Sequence, residues 1–389
     1  MSLRTPLAWK NLTHDRRRLV LATAGIAFAV MLMFQQRGFR HALFDSTVEI
    51  VRVLDADLIL FNPTRFALSN EARFPREAID VATSNHQIAS VIPLYIENLS
   101  ARLRVEGGRA RPIRVLAWDM NKPILLDEEC QIIPQLFKLA RPGTALMDRL
   151  SQKTFGFDLS KTAPDVQVGE LANKKIEIVG LFRLGTDFAH EGNLIMSLDN
   201  FTNYFGYRNP DPRAIVDLGV VKVSPGENPQ EVAQLLEKQL GSQVRVMTKQ
   251  AFIDREIGFW SRSTPIGIIF TIGAMMGFAV GVIICYQILA NDITEHLGEF
   301  ATLKAMGYRD RYFIGLVVRQ SIYLSLFGFL PGLIASWILF WFNSNMTGLL
   351  TRLTWDRILS IFVLTILMCV VSGLLALRKL MAADPASLF

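Results

Sequence analysis

Residues 263–291 read STPIGIIFTIGAMMGFAVGVIICYQILAN and contain no charged side chain. An α-helix rises about 1.5 Å per residue, so this stretch is long enough to cross the roughly 30 Å hydrocarbon core of a bilayer. Three further stretches also lack charges, at residues 19–36, 320–351 and 358–377. Buried helices of a large soluble protein are the alternative, but four such stretches favour transmembrane helices.

Basic residues are concentrated at the ends of these apolar stretches. Residues 45–262 hold 26 basic and 28 acidic side chains, whereas the rest of the chain holds 15 and 7. This distribution is typical of a membrane protein and not of a nucleic-acid-binding protein, whose basic residues form a stripe. The first 18 residues carry five basic side chains and one acidic side chain. By the positive-inside rule, this end of the chain is predicted to be cytoplasmic.

Alternation across the membrane then predicts the organisation of the whole chain. The predicted segments are a cytoplasmic amphipathic amino-terminal helix (1–18), transmembrane helix 1 with its stalk (19–44), an extracytoplasmic domain (45–262), transmembrane helix 2 (263–291), a cytoplasmic coupling loop (292–311), transmembrane helix 3 (312–342), an outer loop (343–357), transmembrane helix 4 (358–377) and a cytoplasmic tail (378–389). The two arginines of the outer loop oppose this orientation, but they are outnumbered by the basic residues at the start of the chain.

The long polar segment has the pattern of an α+β domain. Strands are predicted at residues 57–61, 91–95, 113–117, 175–179 and 220–223, and helices at residues 76–85, 144–156 and 229–240. The predicted fold class is therefore an α-helical membrane protein with four transmembrane helices and a large α+β extracytoplasmic domain between helices 1 and 2.

A basic hairpin is predicted within this domain at residues 101–115, with its turn at Gly107-Gly108. The arginines around the turn are Arg102, Arg104, Arg109 and Arg111. Because side chains alternate along a strand, several of them are expected to share one face. That face suits an acidic partner, such as an adaptor protein, or a lipid head group; a solvated hairpin face is the simpler interpretation.

Residue patterns for catalysis or for cofactor binding are missing from the sequence. The five histidines show no metal-ligand spacing, and neither a G-x-S-x-G elbow nor a G-x-x-x-x-G-K-[ST] phosphate loop occurs. Of the three cysteines, only Cys130 lies in the polar segment, so that segment has no disulfide of its own. We therefore predict a non-catalytic chain that binds no cofactor or metal, with any ATP and Mg²⁺ bound by a partner.

The segments that flank the domain predict a helical stalk. Beyond the first apolar stretch, a helical pattern that includes Val48 and Val51 continues to about Asp55. Before the second apolar stretch, Phe252 and Trp260 belong to a similar pattern. Helices 1 and 2 are thus expected to project outward and carry the domain, with short connecting loops as the alternative.

The loop between helices 2 and 3 is predicted to form a short amphipathic helix. Apolar side chains step by three or four residues, at Ile293, Leu297, Phe300, Leu303 and Met306. Glu295 and Glu299 align on another side, Lys304 follows, and Gly307 suits a helix C-terminal cap. Such a helix can dock into a cleft of a cytoplasmic partner. A helix resting on the lipid surface is less consistent with the acidic side chains, which an anionic leaflet repels.

Residues 299–307, EFATLKAMG, resemble the E-x-x-x-L-[RK]-A-x-G signature of the MacB/FtsX-type ABC permeases. The start, LAWKNL at 7–12, and the end, DPASL at 384–388, are similar to the terminal segments of that family. Within the family, FRLGTDF at 182–188 and EGNLIMS at 191–197 most resemble the DevC-type permeases of cyanobacteria.

The resemblance implies an assembly. Its expected parts are a homodimer of permeases in the bacterial inner membrane, two cytoplasmic ABC ATPase subunits, a periplasmic adaptor protein and a TolC-like outer-membrane duct. ATP-driven closure of the ATPases is expected to move the periplasmic domains along the stalk, which is called mechanotransmission. For a DevC-like system the implied cargo is a glycolipid.

Other functions fit the same layout. An FtsX-like permease relays a signal to an outer hydrolase and moves no cargo, and LolC/LolE-like permeases release lipoproteins. An enzymatic role for the large domain is the most distant alternative, because the sequence shows no catalytic constellation.

Overall fold

The computed structural model describes residues 16–105, 107–122, 124–126, 130–160, 166–187, 189–208, 211, 213–295, 297–347 and 354–381. Its elements form two compact units. We call the one formed by residues 16–41, 265–344 and 354–381 the helical unit, and the one formed by residues 42–264 and 345–347 the α/β domain. The predictions for residues 1–15 and 382–389, which cover most of the predicted amino-terminal helix and of the predicted tail, lie outside the described residues.

Four helices among the described residues are long and apolar enough to cross a membrane. They are α1 (Arg16–Val53), α6 (Pro265–Glu295), α8 (Asp310–Thr347) and α9 (Trp355–Met381). The four predicted transmembrane helices are thereby confirmed. Helix α1 is one uninterrupted helix of 38 residues, about 57 Å long at 1.5 Å per residue, and only its residues up to His41 belong to the helical unit.

Helices α1 and α8 of the helical unit come close together at two glycines of α8, which have no side chain to keep them apart. A Cβ atom added to Gly328 of α8 would lie 2.3 Å from the Ile26 side chain of α1, and one added to Gly332 would lie 2.8 Å from Val30. Small residues at such positions let helices pack in a bilayer, where the hydrophobic effect does not drive them together. The Ser372 hydroxyl of α9 adds a bond of 2.9 Å to the Val282 carbonyl oxygen of α6.

The α/β domain is built on a large mixed sheet. Among the described residues, its strands are β1 (Leu58–Phe61), β2 (Phe74–Pro75), β3 (Ile88–Glu97), β4 (Arg102–Arg104), β5 (Arg111–Pro112), β6 (Arg114–Trp118), β7 (Thr144–Asp148), β8 (Gln167–Leu171), β9 (Lys174–Phe182), β10 (Asn193–Ser197), β11 (Ile215–Val216), β12 (Leu218–Val223) and β13 (Arg245–Thr248). Eleven of these form one sheet in the order β13-β1-β12-β3-β6-β10-β7-β9-β8-β4-β5, and β2 pairs with β11. The β6–β10 and β7–β9 pairs are parallel.

The helices of the domain are shorter. They are α2 (Glu77–Thr83), α3 (Leu198–Tyr204), α4 (Pro229–Leu240) and α5 (Lys249–Arg262). Strand β1 shows how both faces of the sheet are covered: Leu58 and Leu60 pack into one apolar cluster, whereas Ile59 and Phe61 pack into another. The second cluster also holds the end of α1. The chain enters the sheet at β1 and leaves it at β13, and these two strands pair antiparallel.

Most predicted elements of the domain are present, and one is wrong. The five predicted strands correspond to β1, β3, β6, β9 and β12, and two predicted helices correspond to α2 and α4. The helix predicted at 144–156 is instead strand β7 followed by a short 3₁₀ helix, Lys153–Phe155. Strand β7 lies between β10 and β9 and is buried at every position, so sheet pairing overrides the helical spacing of its apolar residues.

Candidate functional site

The predicted coupling segment is helical. Helix α6 extends to Glu295, and helix α7 spans Leu297–Ala305. Gly307 has a φ of 92°, and the Tyr308 N–H donates to the Leu303 carbonyl oxygen at 3.2 Å. These two features make a glycine cap that ends the helix sharply. The cap holds the segment as a defined helix between α6 and α8.

The apolar side chains of this segment do not all face away from the helical unit. Ile293 is buried and Leu303 is half-buried, and both pack into the apolar core of the helical unit. Met306 is 64% exposed, and Glu299 is exposed. Leu303 thus contributes to the core of its own unit, whereas Met306 and Glu299 are accessible to a partner. Leu297 is half-buried and Glu295 is exposed, and nothing is described of the side chains of Phe300 and Lys304.

The end of α1 is built into the core of the α/β domain. Val48, Ile50 and Val51 are all fully buried there. The residues that follow bond to the loop beyond β6: the Asp55 N–H donates to the Ile124 carbonyl oxygen at 2.7 Å, and the Val53 carbonyl oxygen accepts from Leu126 at 2.8 Å. The predicted stalk residues Val48 and Val51 are therefore points where the helix is anchored in the domain.

Helix α5 is tied to the end of α1. The Lys249 ammonium group donates to the carbonyl oxygens of Arg52 at 2.7 Å and of Leu54 at 2.6 Å. A cation at the C-terminal end of a helix satisfies carbonyl oxygens that have no partner within the helix. The Phe252 ring packs edge-on against Phe61, with centroids 5.1 Å apart. The predicted stalk residue Phe252 thus lies in the same apolar cluster as the end of α1.

Glu256 fixes the middle of α5. Its carboxylate is fully buried and accepts from the Leu68 N–H at 2.9 and 3.0 Å and from the Trp260 indole N–H at 2.9 Å. Burial raises the pKa of Glu256, and these hydrogen bonds oppose that rise. Trp260, the remaining predicted stalk residue, therefore contributes a hydrogen bond that holds the carboxylate.

The second stalk helix is interrupted, which corrects one prediction. Helix α5 ends at Arg262 and α6 begins at Pro265, so the segment before the second span is a separate helix. Proline has no N–H to donate within a helix and disfavours the helical conformation of the residue before it. Helix α1 shows no such break between Arg16 and Val53, and its residues belong to both units.

The FRLGTDF and EGN stretches form a buried polar network. The Arg114 guanidinium donates to Asp187 at 2.6 Å, and the His190 ring nitrogen Nδ1 lies 2.9 Å from the same carboxyl group. The amide group of Asn193 joins this network to Asp148 with a bond of 2.8 Å. Burial alone would raise the pKa of Asp187, but Arg114 and His190 outweigh it and hold that pKa well below its usual range.

We expect Asp187→Asn to destabilise the domain by about 3–5 kcal/mol, because it leaves Arg114 buried without a counter-charge. In thermal unfolding of the detergent-solubilised protein, this loss corresponds to a midpoint lower by roughly 10 °C at pH 7. A carboxyl group with a lowered pKa stabilises the fold above its unfolded pKa of about 3.9, and that contribution disappears as the pH falls through the folded value. The difference from the wild type should therefore shrink at acid pH.

The matched control is Arg104→Leu, which breaks the exposed pair between Arg104 and Glu170, 2.8 Å apart. Exposed ion pairs contribute less than about 1 kcal/mol, so its midpoint should be nearly unchanged. Equal loss in the two variants would contradict a special role for the buried pair.

The basic hairpin is present, and two of its arginines, Arg102 and Arg104, share one face. Strand β4 pairs antiparallel with β5, and Gly107 in the turn has a φ of 77°. Arg111 aligns with Leu103, so it lies on the face opposite to Arg102 and Arg104. Arg111 pairs with Glu191 at 2.8 Å. Arg102 and Arg109 are exposed, so the surface available to an acidic partner is smaller than predicted.

Sequence reasoning missed the anchoring roles of Lys249 and Glu256. Glu256 is four residues after Phe252 and four before Trp260, so an acidic residue on that helical face was a signal for a buried carboxylate. Lys249 gave no such signal, because its partners are backbone carbonyl oxygens. Among the described residues, no group of three or more His, Cys, Asp or Glu side chains is arranged to hold a metal ion.

Comparisons with known proteins give a family match and several similar structures, of which two are described here. No curated protein sequence matches the chain significantly. The periplasmic region of MacB from Actinobacillus actinomycetemcomitans is similar at 13% identity and a TM-score of 0.35, over 52% of this chain and 94% of that one. The extracellular domain of the noncanonic ABC-type transporter YknZ from Gram-positive bacteria is similar at 13% identity and a TM-score of 0.32, over 49% and 98%.

The family match covers most of the helical unit after the α/β domain. Residues 268–385 match the family described as "FtsX-like permease C-terminal". This segment includes nearly all of α6, the predicted coupling helix α7, and helices α8 and α9. The matched segment therefore takes in three of the four long apolar helices.

Proposed function

We propose that this chain is the permease subunit of an ABC-type exporter whose ATP hydrolysis takes place on a separate subunit. The FtsX-like permease segment supports a permease role. In this proposal the ATPase, with its ATP and Mg²⁺, docks on the exposed side of the coupling segment. Glu299 supplies the charge at that contact, and Met306 supplies an exposed apolar side chain.

The single observation that carries the mechanism is the continuity of α1. One helix belongs to the helical unit at its start and ends fully buried in the core of the α/β domain. A buried, bonded helix end cannot move without moving the domain around it. ATP-driven displacement of the helical unit is then transmitted to the α/β domain, which is mechanotransmission.

The cargo in this proposal is a hydrophobic envelope component, and a glycolipid is the first candidate. This choice rests on the resemblance of residues 182–188 and 191–197 to DevC-type permeases. The proposed complex is a homodimer in the bacterial inner membrane, with the α/β domain in the periplasm, where it meets an adaptor protein and a TolC-like duct. The exposed Arg102 and Arg109 of the basic hairpin are the candidate adaptor contact.

An FtsX-like signal relay and a LolC/LolE-like release of lipoproteins can use the same continuous helix, so the continuity of α1 suits all three functions. Deleting the chain from its host and comparing the lipids and lipoproteins of the inner and outer membranes separates them. Export of a glycolipid predicts that this lipid accumulates in the inner membrane. Unchanged lipids and lipoproteins favour the signal relay, and retention of lipoproteins alone favours the LolC/LolE-like role.

Orientation is tested by labelling engineered cysteines with a membrane-impermeant maleimide. Lys153 of the α/β domain and Thr302 of α7 are both exposed, whereas the three native cysteines are buried. Lys153→Cys should label in intact spheroplasts, and Thr302→Cys should label only after the membrane is permeabilised. The opposite pattern would reverse the orientation and remove the coupling segment from the cytoplasm.

A further inference from the structure

We infer that Gln320 is a positioning residue that holds the coupling segment in the orientation at which it receives force from the ATPase. This inference rests on the proposed function. Its starting point is one hydrogen bond: the side-chain amide of Gln320, on α8, donates to the carboxylate of Asp292, on α6. Gln320 is 2% exposed and Asp292 is half-buried, so the donor is shielded from water.

This hydrogen bond joins the two helices that flank the coupling segment. Asp292 directly precedes the buried Ile293, after which α6 ends and α7 follows. Gln320 is in the first part of α8, beyond the Gly307 cap. The two residues are 28 positions apart, and all of α7 lies between them. The bond thus joins the helix that enters the coupling segment to the helix that leaves it.

Gln320 differs from other buried polar side chains of its helix. The hydroxyl groups of Ser325 and Ser336 donate to carbonyl oxygens of α8 itself, at 2.8 and 2.6 Å. Hydroxyl groups satisfied in this way impose nothing on a neighbouring helix. The Gln320 amide bonds to a different helix, so it restricts the rotation and the axial position of α8 against α6.

An apolar pair would pack these two helices at a lower desolvation cost, since a buried polar group is costly unless its hydrogen bonds are made. What an apolar pair lacks is direction. A donor and an acceptor at fixed positions select one register of the two helices. Fixing the register of packed helices is the best-supported role of buried polar pairs in proteins. With α6 and α8 held in register, Leu303 stays packed on the helical unit and Glu299 stays exposed.

The experiment uses the full-length permease in liposomes, with and without its ATPase subunit. A spin label on Thr302→Cys, an exposed position of α7, reports the mobility of the coupling segment by electron paramagnetic resonance. The variants are Gln320→Leu, which removes the donor, and Asp292→Asn with Gln320→Glu, which exchanges donor and acceptor. Ser325→Ala is the control, because it removes a buried polar group that bonds only to its own helix.

We expect Gln320→Leu to raise the mobile fraction of the label about tenfold, which is about 1.4 kcal/mol, and to lower the ATPase stimulation by a similar factor. The exchanged pair should restore both quantities to within about twofold of the wild type, and Ser325→Ala should leave both unchanged. If Gln320 had only a structural role, the exchanged pair would have a lower thermal stability and would restore neither the label mobility nor the ATPase stimulation.

Three results would overturn the inference: an immobile label in Gln320→Leu, a wild-type ATPase rate in that variant, or no rescue by the exchanged pair. Failure of the proposed function gives a different pattern. In that case the wild-type permease stimulates no ATPase, although the label still responds to Gln320→Leu and to its rescue.

Discussion

Replacing Arg40 and His41 by glycine is expected to reduce export at least tenfold while ATP hydrolysis continues. These are the last two residues of α1 within the helical unit. Glycine costs roughly 1 kcal/mol per position relative to alanine in a helix, so the pair costs about 2 kcal/mol and the helix survives. A flexible point there absorbs the displacement that the rest of α1 would otherwise pass to the α/β domain. The measurement is cargo export from proteoliposomes beside the rate of phosphate release.

The matched control places alanine at the same two positions. It removes the same side chains but keeps the helix stiff, since alanine has the highest helix propensity. Export should then remain within about twofold of the wild type. If both variants export normally, mechanotransmission along α1 is wrong and the cargo path returns to the membrane helices.

The structure shows why the two glycines are placed at residues 40 and 41 and not further along α1. A hinge at Val48 and Glu49, inside the predicted stalk, removes a fully buried side chain from the core of the domain. Truncation of a buried aliphatic side chain costs several kcal/mol, so lost export there would not separate a hinge from an unfolded domain. Arg40 and His41 are half-buried and precede the domain, and they avoid that ambiguity.

Glu299→Lys is expected to abolish the stimulation of the ATPase subunit. Truncating one partner of a buried interfacial charge pair costs about 2–5 kcal/mol, and reversing the charge adds repulsion. That range corresponds to a loss of affinity of roughly 30-fold or more. Because Glu299 is exposed on the isolated chain, the variant should insert and fold normally. The measurement is ATPase binding and turnover in proteoliposomes.

Two variants serve as controls for this result. Glu299→Gln keeps a hydrogen-bond acceptor and should retain partial stimulation. Asp356→Lys makes the same charge reversal in the first turn of α9, which by the predicted topology faces the other side of the membrane, and it should stimulate normally. Normal turnover with Glu299→Lys would remove Glu299 from the ATPase contact.

The sequence predicts this fold best where one physical requirement dominates. Four uncharged stretches long enough for a bilayer became the four long helices, and the apolar run that follows Asp57 became strand β1. The helix expected at 144–156 failed because sheet pairing decides the conformation of residues 144–148. Strand β7 pairs with β9 and β10, which lie far from it in the sequence. The local spacing of apolar residues therefore gives no sign of this pairing.

The candidate site was predicted less completely than the fold. The coupling helix and its Gly307 cap follow from apolar spacing and from glycine's freedom at positive φ. The bond between Gln320 and Asp292 has no local signal, because it depends on how two helices are rotated against each other. Lys249 was likewise missed, since no periodic pattern marks a lysine that caps another helix.

The pairing of β1 with β13 has a consequence for how such a protein arises and how it can be rebuilt. Chain entry and chain exit are neighbouring strands, so the α/β domain has the geometry of a cassette inserted between two helices. Insertions are tolerated when their ends lie close together, because the host structure need not open to accept them. A helical unit of this kind can therefore acquire a different extracytoplasmic module by exchange at those two strands. A module joined at residues 54–57 and 249–250 would have to cover the side chains of Val48, Val51 and Phe252, which are buried in the core of the present domain.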